Sequence, residues 1–206
     1  MVERALQELK RGKIILLHDS DGRENEVDMV VHASAVTPQT IRTLRKDAGG
    51  LICLAIGGRI AEWLKLPYMA DLLEDSNDVV RKLVAKKTPY GDKPAFSITI
   101  NHRETYTGIT DNDRALTITE FGKTEDNRDL IDNFYSPGHV PLLIARTLKE
   151  RRGHTELSIE LARRAGLRET MVLCEMLADD GKALSLEEAA GYARRNGLVL
   201  VDGGEL

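Results

Sequence analysis

Residues 19–28 carry a dense group of reactive side chains. The segment contains five carboxylates, with a glycine and an arginine between them: Asp19, Asp21, Glu24, Glu26 and Asp28. Carboxylates this close together repel one another unless protons or a cation compensate their charge. Oxygen ligands suit a hard divalent ion such as Mg²⁺. The segment therefore predicts a metal site or, alternatively, a solvated acidic loop.

A second reactive segment, residues 151–156, precedes an amphipathic pattern that predicts a helix. Thr155 can cap this helix, and the free backbone N–H groups of a helix start attract anions. Together with Arg151 they suit a phosphate group. His154 can ligate a metal or transfer a proton. The alternative is an ordinary helix cap beside a surface histidine.

Two further residues are candidates for acid–base chemistry. His139 lies in Ser-Pro-Gly-His-Val-Pro, where Pro-Gly predicts a turn and two prolines restrict the chain. It is interpreted either as a proton-transfer group or as a turn histidine in water. Glu175 ends an apolar run typical of a buried strand, where a carboxylate needs a partner or a proton. Alternatively, Glu175 lies on an edge strand and faces solvent.

Other residues that could carry chemistry have simpler interpretations. Cys53 and Cys174 each lie within an apolar run and are interpreted as core residues rather than nucleophiles. Trp63 is predicted to pack on a short helix rather than to hold a cofactor. Asp113 and Arg114 are interpreted as an exposed ion pair in preference to a pair within a site.

Length and composition exclude several classes of protein. The 206 residues are 42% hydrophobic and 30% charged, with a net charge of −4. This balance is typical of a globular protein and lacks the basic excess of a general nucleic-acid binder. No apolar run is long enough for a membrane span, and the first residues do not resemble a signal peptide. Two isolated cysteines form no disulfide framework, so the expected compartment is a reducing cytoplasm.

The elements that must position these residues alternate along the chain. Strands are predicted at 13–18, 27–33, 51–56, 96–100, 171–177 and 198–201. Helices are predicted near 2–11, 37–48, 60–66, 140–150, 155–165 and 186–195, the last with a capping box. Residues 107–110 are a further strand or a loop. Because no linker divides residues 1–206, we predict a single α/β domain of the α+β type, with a mixed sheet covered by helices.

Several segments, in this order, resemble 3,4-dihydroxy-2-butanone 4-phosphate synthase, an enzyme family of riboflavin biosynthesis. The matching stretches are DGRENEVD (21–28), GGLICL (49–54), FSITI (96–100) with TGITDNDR (107–114), PGHV (137–140), GHTE (153–156), VLCE (172–175) and DDG (179–181). Each motif alone is weak, but their order over roughly residues 2–204 is specific.

The resemblance implies the conversion of ribulose 5-phosphate into 3,4-dihydroxy-2-butanone 4-phosphate and formate. It also implies a Mg²⁺ cofactor, a homodimer with sites near the subunit interface, and one α/β domain. Whether Mn²⁺ can replace Mg²⁺ is left open by the sequence. The substrate is a small phosphosugar, and neither a nucleic acid nor a membrane is expected as a partner.

Site residues follow from the resemblance position by position. Glu24 and His154 are implied as metal ligands. The implied substrate ligands are Arg23, Glu24, Asp28, Arg151, Thr155 and Glu175, with Arg151 and Thr155 on the phosphate. His139 and Glu175 are implied as essential for catalysis, and Glu26 is a further acid–base candidate.

The sequence departs from the common family pattern at three positions. Val27 stands where glycine is common, Ser136 where arginine is frequent, and Arg152 where glycine is common. None of the three removes an implied ligand. The chain length also leads us to expect a monofunctional enzyme without the cyclohydrolase domain that is fused to some relatives.

Two other functions are kept as alternatives. The first is another metal-dependent phosphosugar enzyme, such as an isomerase, which releases no formate, or a phosphatase, which releases phosphate. The second is a regulatory module that binds a sugar phosphate without turnover. The presence of a competent side chain at every implied catalytic position argues against the regulatory module.

Overall fold

Apolar strands assemble into a seven-stranded mixed sheet within residues 1–20 and 22–206, which the computed structural model describes. The strands are β1 (Ile15–His18), β2 (Val27–His32), β3 (Cys53–Ile56), β4 (Phe96–His102), β5 (Phe134–Ile144), β6 (Thr170–Glu175) and β7 (Leu200–Asp202). Their spatial order is β4-β5-β3-β6-β2-β1-β7. The pairs β1–β7 and β3–β5 are parallel, and the other neighbours are antiparallel. The predicted α/β fold with a mixed sheet is confirmed.

Helices occupy the first residues of the chain and most of the connections between strands. They are α1 (Val2–Lys10), α2 (Pro38–Thr43), α3 (Gly58–Trp63), α4 (Met69–Glu74), α5 (Asp78–Lys82), α6 (Asp111–Phe121), α7 (Asn127–Asn133), α8 (His154–Arg164) and α9 (Leu186–Asn196). Short 3₁₀ turns occupy Ala33–Ala35 and Gly203–Glu205, and a π-helical turn occupies Leu44–Ala48. In the described part of the chain, no helix is long and apolar enough to cross a membrane.

The central strands contribute side chains to two apolar layers, one on each face of the sheet. Leu16 of β1 belongs to the layer that contains Ile41 of α2 and Ile118 of α6. Its neighbours Ile15 and Leu17 belong to the other layer, with side chains from α1 and α8. Successive strand residues point to opposite faces, so a strand covered on both sides has a continuous apolar sequence.

Several predicted boundaries are confirmed by their local chemistry. Gly12, with φ +72°, follows the end of α1. Thr37 caps α2 by accepting a hydrogen bond from the Thr40 N–H. Ser185 and Glu188 form the predicted capping box of α9. These signals are local in the sequence, which explains why they could be identified without the fold.

The helix predicted near residues 140–150 is wrong. The segment through Ile144 belongs to β5, which lies between β4 and β3. The predicted turn at Pro137 and Gly138 corresponds to an irregularity within this strand, because the register with β4 changes from Ile100–Val140 to Asn101–Tyr135. The Gly138 N–H donates to Thr99 Oγ1 at 3.0 Å. Pairing with two neighbouring strands outweighs the local helical pattern.

The loop at residues 107–110 leads into α6, a helix that the sequence analysis did not predict. Asp113 accepts hydrogen bonds from the backbone N–H groups of Tyr106, Thr107 and Gly108, at 3.3, 3.2 and 2.9 Å. Arg114 instead lies 3.6 Å from Asp111. The predicted ion pair of Asp113 with Arg114 is therefore wrong, because the Asp113 carboxylate folds the preceding loop.

The predictions made for the two cysteines are confirmed, whereas the prediction made for the tryptophan is wrong. Cys53 and Cys174 are buried free thiols, and burial raises the pKa of both, that of Cys174 to about 12. Their assignment to the core is confirmed. The packing predicted for Trp63 is wrong, because 69% of this residue is exposed. Its short helix places the indole outside the apolar layers.

Replacing Gly138 by alanine should destabilise the β4–β5 contact. A Cβ at this position would overlap the backbone of Ile100, which cannot move aside as the end of a flexible side chain can. We expect the free energy of unfolding to fall by about 3 kcal/mol in urea denaturation. Gly22→Ala is the matched control, since its Cβ would meet nothing within 4 Å. Equal stability of the two variants would contradict the close approach.

Candidate active site

Strands β2 and β6 bring two carboxylates side by side. Asp28 and Glu175 are direct partners in the antiparallel register. Glu175 lies at the end of β6, a central strand, and its Oε2 accepts a hydrogen bond from the Leu51 N–H at 2.8 Å. A Cβ at Gly50 would overlap this carboxylate, so the close approach requires glycine. The alternative of an edge strand for Glu175 is wrong.

Residues 24–26, in the connection between β1 and β2, are held by the Asp19 carboxylate. Its two oxygens accept hydrogen bonds from the backbone N–H groups of Glu24 and Glu26, at 3.1 and 3.2 Å. These bonds replace the water contacts expected of a solvated acidic loop. They place the Glu24 side chain beside α8. Asp21, another carboxylate of the predicted cluster, lies outside the described residues.

His154 is the first residue of α8 and is only 5% exposed. Its Nδ1 lies 3.3 Å from Glu24 Oε2, and its Nε2 lies 3.1 Å from the Glu26 carbonyl oxygen. Asp28 Oδ1 is 3.7 Å from the same Nε2. The alternative of a surface histidine is therefore wrong. The imidazole joins the acidic loop to the β2–β6 pair.

The donor set of this cluster fits a divalent cation. One ligand atom from each of Asp19, Glu24 and His154 can be chosen so that all lie within 4.8 Å of one another. The Oδ1 atom of Asp28 is buried without a hydrogen-bond partner among the described residues, so it is a further free acceptor beside this cluster. Two carboxylates and an imidazole are ligands that Mg²⁺ and Mn²⁺ accept. Asp19, which directly follows β1, belongs to the predicted acidic segment, but the resemblance did not imply it as a metal ligand.

Burial and charge move the pKa values of the cluster in opposite directions. Burial raises the pKa of Asp28 to about 7, and nearby Glu175 adds to the effect. Burial alone would lower the pKa of His154, but Asp28 and Glu24 outweigh it and raise the value to about 9. The hydrogen bond with His154 lowers the pKa of Glu24. Burial raises the pKa of Glu26. A cation bound here would therefore compete with protonation of His154.

The start of α8 forms a second, cationic part of the site. The predicted cap at Thr155 is wrong, because the N-cap of α8 is Gly153 and Thr155 is a buried residue within the first turn. A Cβ on Gly153 would contact Nη1 of both Arg23 and Arg151, so both guanidinium groups converge on this helix start. Arg151 Nη1 also donates to Glu156 Oε2 at 2.5 Å. Free amides and two arginines suit an anion.

A cavity of about 540 Å³ connects the two parts. Its polar lining consists of Glu24, Asp28, Thr88, Arg151, His154, Thr155 and Glu175. Its apolar wall includes Met69 and Leu73 of α4 and Leu83 after α5. This volume lies in the range that accommodates small ligands.

The remaining predicted residues differ in their placement. Arg23 lies beside the cavity-lining residue Arg151 at the start of α8. The Glu26 carbonyl oxygen contacts His154. The described lining of the cavity does not include His139. This histidine is exposed on β5, and its Nδ1 lies 3.2 Å from the Asn101 side-chain nitrogen. One chain therefore brings together all the predicted site residues except His139.

Sequence reasoning missed the contribution of the segment at residues 88–92. Thr88 lines the cavity, and Asp92 contacts both Arg23 and Arg151. A single charged residue in a turn-rich segment gives no signal that distinguishes it from an ordinary surface loop.

The pKa of Asp28 is raised and that of Glu24 is lowered, so replacing each carboxylate by its amide should change the stability of the metal-free protein in opposite directions. The raised pKa of Asp28 means that its ionisation destabilises the fold progressively between about pH 4 and 7. Asp28→Asn should therefore raise the free energy of unfolding at about pH 8 by on the order of 2 kcal/mol, with the gain shrinking toward about pH 4. The lowered pKa of Glu24 contributes stability that acidification removes, so Glu24→Gln should lower stability at about pH 8.

Urea denaturation in EDTA at several pH values measures both effects. The wild type and the two variants share the same buffer series, and each variant serves as the control of opposite sign for the other. An Asp28→Asn variant that is less stable than the wild type at about pH 8 would contradict the assigned cost of burying this charge.

Comparisons with known sequences support one family. The chain matches the 3,4-dihydroxy-2-butanone 4-phosphate synthase family over residues 3–206. The synthase of Methanothermobacter thermautotrophicus is 48% identical over 215 residues, covering 100% of this chain and 94% of that protein. The synthase of Methanosarcina mazei is 46% identical over 219 residues, covering 100% and 89%. The riboflavin biosynthesis protein RibBA of Bacillus subtilis is 32% identical, covering 97% of this chain and 46% of that protein.

Solved structures agree with the sequence comparisons. A 3,4-dihydroxy-2-butanone 4-phosphate synthase in complex with two magnesium ions has a TM-score of 0.82 at 27% identity, covering 98% of this chain and 93% of that chain. The synthase of Candida albicans has a TM-score of 0.79 at 29% identity, with the same coverage. The sequence match and the shared fold both extend along nearly the whole chain. The chain therefore belongs to the 3,4-dihydroxy-2-butanone 4-phosphate synthase family of enzymes.

Proposed function

We propose that this protein converts D-ribulose 5-phosphate into L-3,4-dihydroxy-2-butanone 4-phosphate and formate, as a step of riboflavin biosynthesis. The observation that carries the proposal is the meeting of a carboxylate–imidazole cluster and a cationic helix start in one cavity. The first group suits a metal and the second a phosphate. Family membership supports the choice of this reaction over an isomerase or a phosphatase.

Glu24 and His154 would hold the metal, with Asp19 as a third ligand. We propose Mg²⁺, in keeping with the related synthase that was solved with two magnesium ions. Once bound, the metal would polarise the oxygens of the sugar and stabilise negative charge that develops during enolisation. Mn²⁺ is an alternative with similar ligand preferences.

Arg23, Arg151 and Thr155 would bind the phosphate at the start of α8. Their N–H and O–H groups match phosphate oxygens, and the backbone amides of the helix start add to the positive potential. The phosphate lies at the end of the substrate remote from the ketone. Its binding energy can therefore hold the reacting carbons in place without taking part in the bond changes.

Asp28 and Glu175 would contact the substrate, while Glu175 and Glu26 would transfer protons. Enolisation begins with removal of a proton beside the ketone, and a base with a pKa near the working pH performs this step well. The raised pKa values of Asp28 and Glu26 place these groups closer to neutrality than ordinary carboxylates. Neighbouring carboxylates can serve successive proton transfers during the skeletal rearrangement and the loss of one carbon as formate.

His139 would act across the interface of a homodimer. The histidine is exposed and lies outside the cavity of its own chain. Around it, Asn101 contacts both His139 and Tyr135, and Gly108 adjoins Asn101. Nearby Tyr106 is 94% exposed, so this surface presents aromatic area that a second copy could cover. A second chain seated here would bring His139 to the partner's cavity.

The proposal also includes one catalytic domain and a cytoplasmic location. Most of the proposed ligands line one cavity beside the sheet: Glu24, Asp28, Arg151, His154, Thr155 and Glu175. Two buried free thiols favour a reducing compartment.

Product analysis tests the reaction. Ribulose 5-phosphate with Mg²⁺ should yield formate and the four-carbon phosphate in equal amounts, and EDTA should abolish both. Glu24→Ala should require at least about tenfold more Mg²⁺ for half-maximal rate, because one metal ligand is lost. Glu3→Ala, on the exposed side of α1, is the control and should match the wild type.

The alternatives predict other products. An isomerase would release no formate, a phosphatase would release inorganic phosphate, and a binding module would show no turnover. Any of these outcomes with folded, metal-loaded protein would refute the proposed reaction.

Mixing two inactive variants tests whether His139 acts across subunits. His139→Ala should be inactive alone, and Glu24→Ala should be nearly inactive alone at a Mg²⁺ concentration well below the one that this variant needs. Random reassociation makes roughly half of the dimers hybrids, in which one site carries both changes and the other carries neither. About a quarter of wild-type activity should therefore return.

The matched control mixes Glu24→Ala with Glu175→Gln, whose positions face the same cavity within one chain. This mixture should stay inactive, because both sites of each hybrid keep one defect. No recovery with His139→Ala would show that His139 does not act across subunits, and wild-type turnover by that variant alone would remove His139 from the mechanism.

A further inference from the structure

We propose that Asp92 is a positioning residue for the substrate phosphate. Its carboxylate holds the guanidinium groups of Arg23 and Arg151 side by side, so that donors of both arginines face the start of α8. The inference rests on the proposed function, which assigns these two arginines to the phosphate.

One carboxylate contacts both arginines. Arg23 Nη2 donates to Asp92 Oδ2 at 2.6 Å, and Arg151 Nε lies 3.0 Å from the same oxygen. The other oxygen, Oδ1, accepts a hydrogen bond from Thr88 Oγ1 at 2.5 Å. The Asp92 side chain thus joins two separate cationic residues to the segment that borders the cavity.

Asp92 is the carboxylate that the two arginines share, while Glu156 pairs with Arg151 alone. Their Nη1 atoms both approach the position of a Cβ on Gly153, so two positive charges lie close to the same helix start. Like charges repel, and the repulsion is weakly screened because the Arg23 and Arg151 side chains are only 10% and 8% exposed. A bridging carboxylate offsets this repulsion, and its hydrogen bond from Nη2 fixes the orientation of the Arg23 guanidinium.

The contact between Arg23 and Asp92 leaves another nitrogen of the Arg23 guanidinium available as a hydrogen-bond donor. Arg23 Nη1 is buried and has no hydrogen-bond partner among the described residues. The nearest carboxylate oxygens, on Asp19 and Glu24, are 3.7 and 3.5 Å away. Because Nη2 is held by Asp92, the Nη1 edge is directed toward the N-cap of α8. A phosphate oxygen there would satisfy this donor together with the backbone amides.

The segment that carries Asp92 is itself held in shape. The Thr88 N–H donates to the Asp92 carbonyl oxygen at 2.7 Å, and the Gly91 N–H donates to the Thr88 carbonyl oxygen at 3.0 Å. The Arg23 guanidinium also lies 5.2 Å from the centre of the Tyr90 ring. Arg23 is therefore held by two residues of one turn, which favours a fixed position over a loose surface contact.

The opposite role for Asp92 would be competition with the phosphate. A carboxylate that occupied the phosphate position would have to leave before the substrate bound. Removing its charge would then strengthen phosphate binding, whereas removing a positioning residue weakens it. The direction of the change therefore separates the two roles.

The experiment compares the wild type, Asp92→Asn, Asp92→Glu and the control Asp71→Asn. The readouts are KM and kcat for ribulose 5-phosphate, the inhibition constant of inorganic phosphate, and phosphate binding by calorimetry without turnover. Asp92→Asn should raise KM, the inhibition constant and the phosphate Kd by about tenfold, with kcat within about twofold. Asp92→Glu should recover part of the loss, and Asp71→Asn, exposed on α4, should match the wild type.

Unchanged KM and phosphate binding in Asp92→Asn would overturn the inference, and so would tighter phosphate binding. A fall in kcat without a change in KM or in phosphate affinity would also overturn it, because a residue that positions the phosphate-binding arginines must affect binding. If Asp92→Asn does not fold, Thr88→Val removes one hydrogen bond from the carboxylate and should raise KM and the phosphate Kd by about threefold. No change in that variant would refute the positioning role.

The calorimetric readout separates this inference from the proposed reaction. A wild type that releases no formate, yet binds phosphate more tightly than Asp92→Asn, would refute the reaction and support the positioning role. A wild type that releases formate, with the same phosphate affinity as Asp92→Asn, would refute only the role of Asp92. A wild type that binds no phosphate would overturn the anion subsite and the inference with it.

Discussion

The buried contact of His154 with two carboxylates is the constraint on which the rest of the site depends. The imidazole lies 3.3 Å from Glu24 and 3.7 Å from Asp28, and these carboxylates come from the acidic loop and from β2. An unpaired charge is costly in this environment, so the three groups must remain together or bind a cation. Since His154 is also the first residue of α8, the same contact fixes where the helix start lies.

The sheet supplies the second half of this arrangement. Antiparallel pairing places Glu175 directly beside Asp28, and a one-residue shift of one strand would turn its side chain to the other face and separate the pair. The apolar layers on the two faces oppose such a shift, because β2 is buried throughout. Packing energy spread over the sheet therefore maintains a carboxylate pair whose mutual repulsion would otherwise separate it.

The sequence predicted the parts of the site whose signals are local. Glu24, Asp28, His154 and Thr155 lie in motifs at strand ends and at a helix start, and their meeting in one cavity follows from that placement. The prediction of a helix near 140–150 was wrong because pairing of this segment with two other strands depends on residues distant in the sequence. The role of Asp92 had no local signal, since its partner Arg23 is 69 residues away in the chain. The exposed His139 is placed outside the cavity of its own chain, so one chain alone does not reveal its partner.

Arg23 and Glu24 are adjacent in the acidic loop, but they contribute opposite charges to the two ends of the site. The site therefore has a cationic end and a carboxylate-rich end. Arg23 extends to Asp92 and the cationic helix start, while Glu24 extends to His154 and the carboxylates. Asp19 fixes this division by binding the backbone N–H groups of Glu24 and Glu26. A shift of the loop by one residue would exchange a cation for an anion at both ends. A ligand with phosphate at one end and metal-binding oxygens at the other is consequently favoured in one orientation, which is what successive proton transfers on a single carbon chain require.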